Sequence, residues 1–303
     1  MDRVTTFSQQ TRLLSFINDT QRRYDDLQTQ VSSGFKSQNY SGIARETGQL
    51  LSLKTSHEKV SQYLENNKTV DRRLQTMESD ISQITDIMSK FKTLLVSALN
   101  APNATELDLN NQARQSLNQI AGLLNSKVDG RYIFSGGRTD VSPVDLTALP
   151  VSYTVPTADG DSSSYYKGDS QILGLRADDN LTVNYGVLAN DTEFERAIRA
   201  LDVVSKGPVT DRIMLNHALD VVNQAVEGLP DVRTRVGLSR KTLETTNDKH
   251  NEFILFAEQS ISDIENVDVA ETVTRINEAQ TTLQASYLTV SRLSAVSLLR
   301  YLS

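Results

Sequence analysis

Residues 49–101 read QLLSLKTSHEKVSQYLENNKTVDRRLQTMESDISQITDIMSKFKTLLVSALNA, without a proline or a glycine. Every seventh residue from Leu53 gives Leu53, Val60, Asn67, Leu74, Ile81, Met88 and Leu95. Three residues further on, the companion series is Ser56, Tyr63, Val70, Met77, Ile84, Phe91 and Ala98. These are the a and d positions of one continuous helix with a narrow apolar seam. At 1.5 Å per residue such a helix is roughly 80 Å long, which suits a rod better than a globule. Asn67 falls at an a position, where an amide either fixes the register against a partner helix or is tolerated with its side chain hydrated.

Downstream, Pro102 to Glu106 mark a break and restart, with Asn103 or Thr105 as the helix cap. A third helix follows on the stripe Ala113, Leu117, Ile120, Leu124 and Val128, folds back on the long one, and stops at Asp129-Gly130. Over 130–190 the character changes: Gly, Pro, Asp, Ser and Tyr concentrate, and the apolar period becomes two. Tyr132-Ile133-Phe134 runs into a Ser135-Gly136-Gly137 turn, and Val151, Tyr153 and Val155 alternate with polar residues, as do Leu181, Val183 and Tyr185. Asp159-Gly160 reads as a hairpin tip. Helices resume near Thr192 with Phe194, Ile198, Leu201 and Val204. A second short helix carries Ile213, Leu215, Ala218, Leu219 and Val222, between Pro208 and Gly228-Leu229-Pro230. A long helix then starts near Asp231 on Val236, Leu243, His250, Ala257 and Ile264, with Asn247, Ile254 and Ile261 as companions. The last helix carries Val269, Ile276, Leu283 and Val290, with Val273 and Tyr287 between them.

The N-terminus mirrors this ending. Ile17, Tyr24 and Val31 are seven apart, Leu13 and Leu27 share their stripe, and Ser32-Ser33-Gly34 closes the helix. Terminal helices with so thin a seam are marginal alone in water and need each other or other subunits. The expected fold is therefore mainly α with an inserted small β-rich domain. It is an elongated antiparallel helical rod or coiled-coil bundle with its N- and C-terminal helices paired.

Composition narrows the function. The 303 residues carry a net charge of -7, which disfavours a nucleic-acid partner, since such a surface needs a basic stripe. With no cysteine, disulfides, Cys-ligated metals and thiol nucleophiles are excluded. The longest apolar runs are far short of the roughly 20 residues that cross a bilayer, so no membrane insertion is expected. Met1 to Gln10 lacks an apolar h-region, so a cleaved secretory signal is not expected. The three histidines, His57, His217 and His250, lie singly in helices, where a packed or surface-reaching imidazole is the ordinary role. Asp159 to Ser164 lacks the spacing and closing Glu of a calcium loop, and Asp178-Asp179-Asn180 reads as a turn. Gly136-Gly137-Arg138 reads as a turn too, because no helix follows to make an anion site. No nucleophile, P-loop or metal motif is present, so no catalytic residue, metal or cofactor is assigned.

Several of these segments resemble the flagellin superfamily of bacterial axial proteins. Val31-Ser32-Ser33-Gly34-Phe35-Lys36 resembles the motif that closes the N-terminal helix in that family. Asp129-Gly130-Arg131-Tyr132-Ile133-Phe134-Ser135-Gly136-Gly137-Arg138-Thr139 with Pro143, and Tyr166-Lys167-Gly168-Asp169, resemble the FlgL-type hook-associated branch. So do Leu283-Gln284-Ala285-Ser286-Tyr287 and Leu298-Leu299 near the end. After Ser41-Gly42 the chain reads Ile43-Ala44-Arg45-Glu46, unlike filament flagellin.

The resemblance implies a structural, non-enzymatic role at the junction of the bacterial hook and filament, with export through the flagellar type III apparatus. It implies flagellin and the hook-side junction protein as partners, self-association in a ring layer, and a cytoplasmic chaperone on the C-terminal helix before export. The implied divisions are an N-terminal assembly helix over 1–42, the long helix and its return over 43–130, and the β-rich insertion over 131–190. The C-terminal half of the rod over 191–266 and an assembly helix over 267–303 complete them. The thin terminal seams fit this, and Leu13, Ile17, Tyr24, Leu27 and Val31 are expected to pair with Leu283, Tyr287, Val290 and Leu293. Two rivals share parts of this pattern: a short filament flagellin, and a secreted adhesin or effector that binds a ligand through its β domain.

Overall fold

A computed structural model describes residues 2–100, 108–150 and 163–302, with side chains at the two ends described over 11–292. Six helices and two hairpins follow in order: α1 (Asp2–Ser33), α2 (Thr47–Asn100), α3 (Leu109–Leu124), β1 (Lys127–Val128), β2 (Arg131–Tyr132), β3 (Leu173–Asp178), β4 (Leu181–Tyr185), α4 (Thr192–Lys206), α5 (Arg212–Glu265) and α6 (Val269–Leu302). The chain is mainly α with a small β-rich insertion and paired terminal helices, as its periodicities require. It divides into two compact units, residues 1–59 with 253–303, and residues 60–252.

In the 60–252 unit the heptad seam of α2 is the centre of the core. Val70, Leu74, Met77, Ile81, Ile84, Met88, Phe91, Leu95 and Ala98 are all buried. They belong to one cluster with Ala113, Leu117, Ile120 and Leu124 of α3, Phe194, Ile198, Leu201 and Val204 of α4, and the inner face of α5. With several helices around it, α2 is covered on more than one side, and each buried Leu or Ile contributes about 1.5–3 kcal/mol.

Helix α5 corrects the expected break at Gly228-Leu229-Pro230. It is one 54-residue helix with Pro230 inside it. A mid-helix proline removes one N–H and costs about 3 kcal/mol. Here Ala218, Val222, Ala225, Leu229, Val232 and Val236 are all buried, and their four-three spacing runs through the proline without a slip. Burial of that continuous stripe outweighs the local penalty. At the start of α5 the expected stripe holds at Leu215, Ala218 and Val222, which are buried, but not at Ile213, which is 80% exposed while its neighbour Met214 points inward.

The expected stop of α3 at Asp129-Gly130 is also corrected. The helix ends at Leu124, and Val128, read as the last residue of its stripe, lies in β1. Asp129 and Gly130 both have positive φ, 52° and 75°, and join β1 to β2 as a two-residue hairpin turn. That pair of left-handed conformations is what a type I′ turn needs, and Asp-Gly is among the sequences that supply it. The β3–β4 hairpin is antiparallel, pairs Leu175 with Val183, and turns at Asp179-Asn180 as expected. Leu181, Val183 and Tyr185 face inward while Thr182 and Asn184 face out. The expected cap at Asn103 or Thr105, the Val151–Val155 strand and the Asp159-Gly160 tip lie outside the described residues.

Candidate assembly interface

In the unit formed by 1–59 and 253–303, α1 packs against α6. The two helices come from opposite ends of the sequence and run antiparallel from a common origin, because Phe35 and Asn266 form an antiparallel bridge just past the end of α1 and just before α6. Helix α6 starts cleanly: the Asp268 carboxylate accepts the backbone N–H of Glu271 at 3.0 Å, an Asp-x-x-Glu capping arrangement.

The inner face of α1 comprises Leu13, Ile17, Thr20, Tyr24, Leu27 and Val31, and that of α6 comprises Thr272, Ile276, Ala279, Leu283, Ser286 and Val290. Both stripes have the same four-three-four-three-four spacing. Of the residues expected at this interface, Ile17, Leu27 and Leu283 are buried, while Leu13, Tyr24, Val31 and Val290 are half-buried. Tyr287 is not brought to the inner face: it is 53% exposed. Leu293's side chain lies outside the described residues. The companion series Val273 and Tyr287 is replaced by Thr272, Ala279 and Ser286, and Val269 is exposed too. Thr, Ala and Ser carry little hydrophobic signal; they are found by counting sevens forward from Thr272 in the capped first turn of α6.

One helix laid on another covers a single line of each. Leu14 and Phe16 on α1, and Val273, Tyr287 and Leu288 on α6, stay at least two-fifths exposed. The polar rim is locally neutralised by short-range pairs, Arg275 with Glu271 at 2.6 Å and Arg22 with Asp19 at 3.9 Å, each worth little at an exposed surface. A shallow groove runs beside the seam, lined by Phe16, Thr20, Arg23 and Leu27 from α1 and Glu278 and Thr282 from α6, among others.

The same unit holds the paired ends of α2 and α5. Leu50, Ala257 and Ile264 are buried there, Lys54 meets Glu265 at 2.6 Å, and His57 Nε2 lies 3.5 Å from Glu258. Leu255 and Phe256 of α5 remain exposed.

In the other unit, the conspicuous Gly-Arg-Tyr-Ile-Phe and Tyr-Lys-Gly-Asp segments prove to be each other's partners. The Asp169 carboxylate accepts the N–H groups of Gly137 at 2.7 Å and Gln171 at 3.0 Å, while its own N–H donates to the Ser135 carbonyl. Tyr166 donates its hydroxyl to the Asp169 carbonyl at 2.6 Å; burial, and then the Asp169 charge, push the phenol up to about 12. Tyr165 is fully buried, donates to the Ala189 carbonyl at 2.9 Å, and burial holds its phenol protonated far above the usual range. Phe134 is fully buried with its ring edge-on to Phe194. These motif residues hold a loop architecture together, so Gly136-Gly137-Arg138 is a turn, as expected.

Two polar seam residues are also resolved. The Asn67 amide donates to Asn247 Oδ1 at 2.9 Å and to the Ala177 carbonyl at 3.1 Å, so it pairs across helices instead of being hydrated. His250 is packed, with Nε2 at 2.9 Å from the same carbonyl and its ring stacked on Tyr63.

Comparison with known proteins agrees with this geometry. Residues 4–139 match the bacterial flagellin N-terminal helical region, and residues 219–302 match the bacterial flagellin C-terminal helical region. Flagellar hook-associated protein 3 of Escherichia coli (strain K12) is 24% identical over 300 residues, covering 93% of this chain and 94% of that protein. Its namesake in Salmonella typhimurium is 22% identical over 333 residues, covering 98% of each. The crystal structure of Bacillus cereus FlgL superposes with a TM-score of 0.55 at 21% identity, over 71% of this chain and 99% of that one.

Proposed function

The chain belongs to the bacterial flagellin family, and from that premise we propose that it is a hook-associated structural subunit of the flagellum, seated where hook meets filament. The observation that carries the reading is the α1–α6 pair. Over its described side chains it presents a seam that two helices cover only along one line, with Leu14, Phe16, Val273 and Leu288 at least two-fifths exposed. Apolar residues in that position are covered when further helices of the same kind stand alongside, as in a layer of subunits. The interface residues are then Leu13, Ile17, Tyr24, Leu27, Val31, Leu283, Tyr287, Val290 and Leu293. Leu13, Ile17, Tyr24, Leu27, Val31, Leu283 and Val290 seal the pair, and Tyr287 faces a neighbour.

In this reading the neighbours are copies of the same chain in a ring, flagellin on one side and the hook-side junction protein on the other. Before export through the flagellar type III apparatus, a cytoplasmic chaperone covers the C-terminal helix, whose apolar residues would otherwise be exposed. A chain without cysteine passes an export channel unfolded without crosslinking. The family is a structural one, and the Tyr165 and Tyr166 phenols and the Asp169 carboxylate hold the loops of the insertion together.

Deletion of the gene tests the assignment. The expected phenotype is cells that keep their hooks but shed flagellin monomers into the medium. Motility that survives deletion would sink the proposal. Purified protein that grows long filaments when seeded would instead assign it to the filament.

A further inference from the structure

We propose that a backbone clasp at Gly34–Lys36 and Glu265–Val267, and not the apolar seam, sets the register in which α1 lies on α6. The seam cannot do it alone. Both stripes repeat every seven residues, so sliding one helix by a heptad, about 10 Å, again sets stripe against stripe. The polar members of the stripes do not object to such a slide. The Thr20 hydroxyl donates to the Phe16 carbonyl at 2.8 Å and the Thr272 hydroxyl to the Asp268 carbonyl at 2.7 Å, each within its own helix. Satisfied locally, they need no particular partner across the seam. Asn67 and Asn247 in the other unit are the opposite case, a cross-helix amide pair that a slide would break.

The clasp supplies the missing reference point. The Lys36 N–H donates to the Glu265 carbonyl at 2.7 Å and the Val267 N–H donates to the Gly34 carbonyl at 2.9 Å, on either side of the Phe35–Asn266 bridge. Gly34 sits at φ +79°, a left-handed conformation that ends α1 and turns the chain into the bridge. The Lys36 ammonium donates to the Asp263 carbonyl in the last turn of α5, and Lys54 pairs with Glu265 at 2.6 Å. The C-terminal end of α1 is thereby tied to the three-residue connection that launches α6. Two helices separated by the whole length of the chain thus start counting from one point.

The absence of native cysteine makes register directly readable in the full-length protein. Thr20→Cys with Thr282→Cys, about 15 residues from the Phe35–Asn266 bridge on either helix and so at nearly the same height in the antiparallel pair, reports the native register to a short thiol crosslinker. Thr20→Cys with Arg275→Cys, or with Thr289→Cys, reports a slide of one heptad in either direction. In the parent chain the native pair should crosslink and the displaced pairs should lag at least tenfold. Lys36→Pro and Val267→Pro each delete one clasp N–H, whereas Lys36→Ala keeps it. The proline variants, singly and together, should raise a displaced pair to within about threefold of the native pair, with α-helical circular dichroism retained and Lys36→Ala behaving as the parent. Native crosslinking that stays dominant in both proline variants would overturn the proposal. Loss of all crosslinks together with loss of helix signal would also overturn it, since the clasp would then maintain the pair and not its register.

Discussion

The α2 seam between residues 67 and 98 and the α1–α6 seam are written in the same heptad grammar, yet they end in different states. Around α2 the packed faces of α3, α4 and α5 bury every seam position from Asn67 to Ala98. Along α1 and α6 only Ile17, Leu27, Thr272, Ala279 and Leu283 reach full burial among the described side chains, and comparable apolar residues stay outside. The pattern is the same; the number of neighbours differs. A seam with several neighbours makes a self-sufficient core, whereas a seam with one neighbour makes half of an interface. The polar residues follow the same division. Asn67 is placed where a cross-helix partner is fixed, while Thr20 and Thr272 are satisfied within their own helices.

The contrast can be broken in four ways. The largest effect is expected from Phe134→Ala, which removes a fully buried ring from the junction of the insertion with α4. It should cost about 3–5 kcal/mol of the 60–252 unit's stability, read by urea unfolding followed by circular dichroism, since the chain has no tryptophan. Next, Leu283→Asp sets an unpaired carboxylate into the α1–α6 seam and forfeits roughly 1.5–3 kcal/mol of burial. It should abolish motility while the unfolding transition of the 60–252 unit stays in place; unfolding of the whole chain would contradict the division drawn here.

A smaller effect is expected from Arg240→Ala. The Arg240 guanidinium meets Glu78 at 2.7 Å and Asp71 at 3.2 Å, and its hydrogen bond holds the Glu78 carboxyl below the usual carboxylate range. Because the folded-state value is depressed, the ionised form stabilises the fold above the ordinary value of 4.5, and that contribution fades as pH falls through the lower folded value. The substitution should therefore cost about 1 kcal/mol at pH 7, and the gap to the parent should close on acidification below about pH 4. An unchanged gap at pH 3 would rule out the ion pair as its source. Smallest of all, Ile213→Ser should shift stability by less than about 0.5 kcal/mol, because its side chain is already 80% exposed.

These comparisons also locate what could be read in advance. The Asp179-Asn180 turn is legible because Asp and Asn are turn formers, and the α2 seam, the α4 stripe and the β4 alternation because each is a local repeat of apolar residues with the period of its element. Leu13, Ile17, Leu27 and Leu283 were legible for the same reason. At Pro230 local propensity points to a break, but the buried stripe that continues through it prevails. Asp129-Gly130 misled because one dipeptide serves equally to stop a helix and to turn a hairpin, and only the short strands on either side decide. Tyr287 misled because aromatic bulk suggested a seam position that Ala279 and Ser286 define instead. The clasp was invisible, since it is made of backbone groups of residues more than 200 positions apart.

Residue order alone places most of the helical stripes, though not the run of α5 through Pro230, the end of α3 or the inner face of α6, and it excludes cysteine chemistry. These are properties of a residue and its neighbours within a turn or two. Tertiary structure decided how deeply each face is buried, which polar group finds a partner across helices, and where the two ends of the chain are tied together. Those outcomes depend on distances between groups far apart in the chain, and a periodic pattern, which repeats every seven residues, carries no information about which repeat meets which.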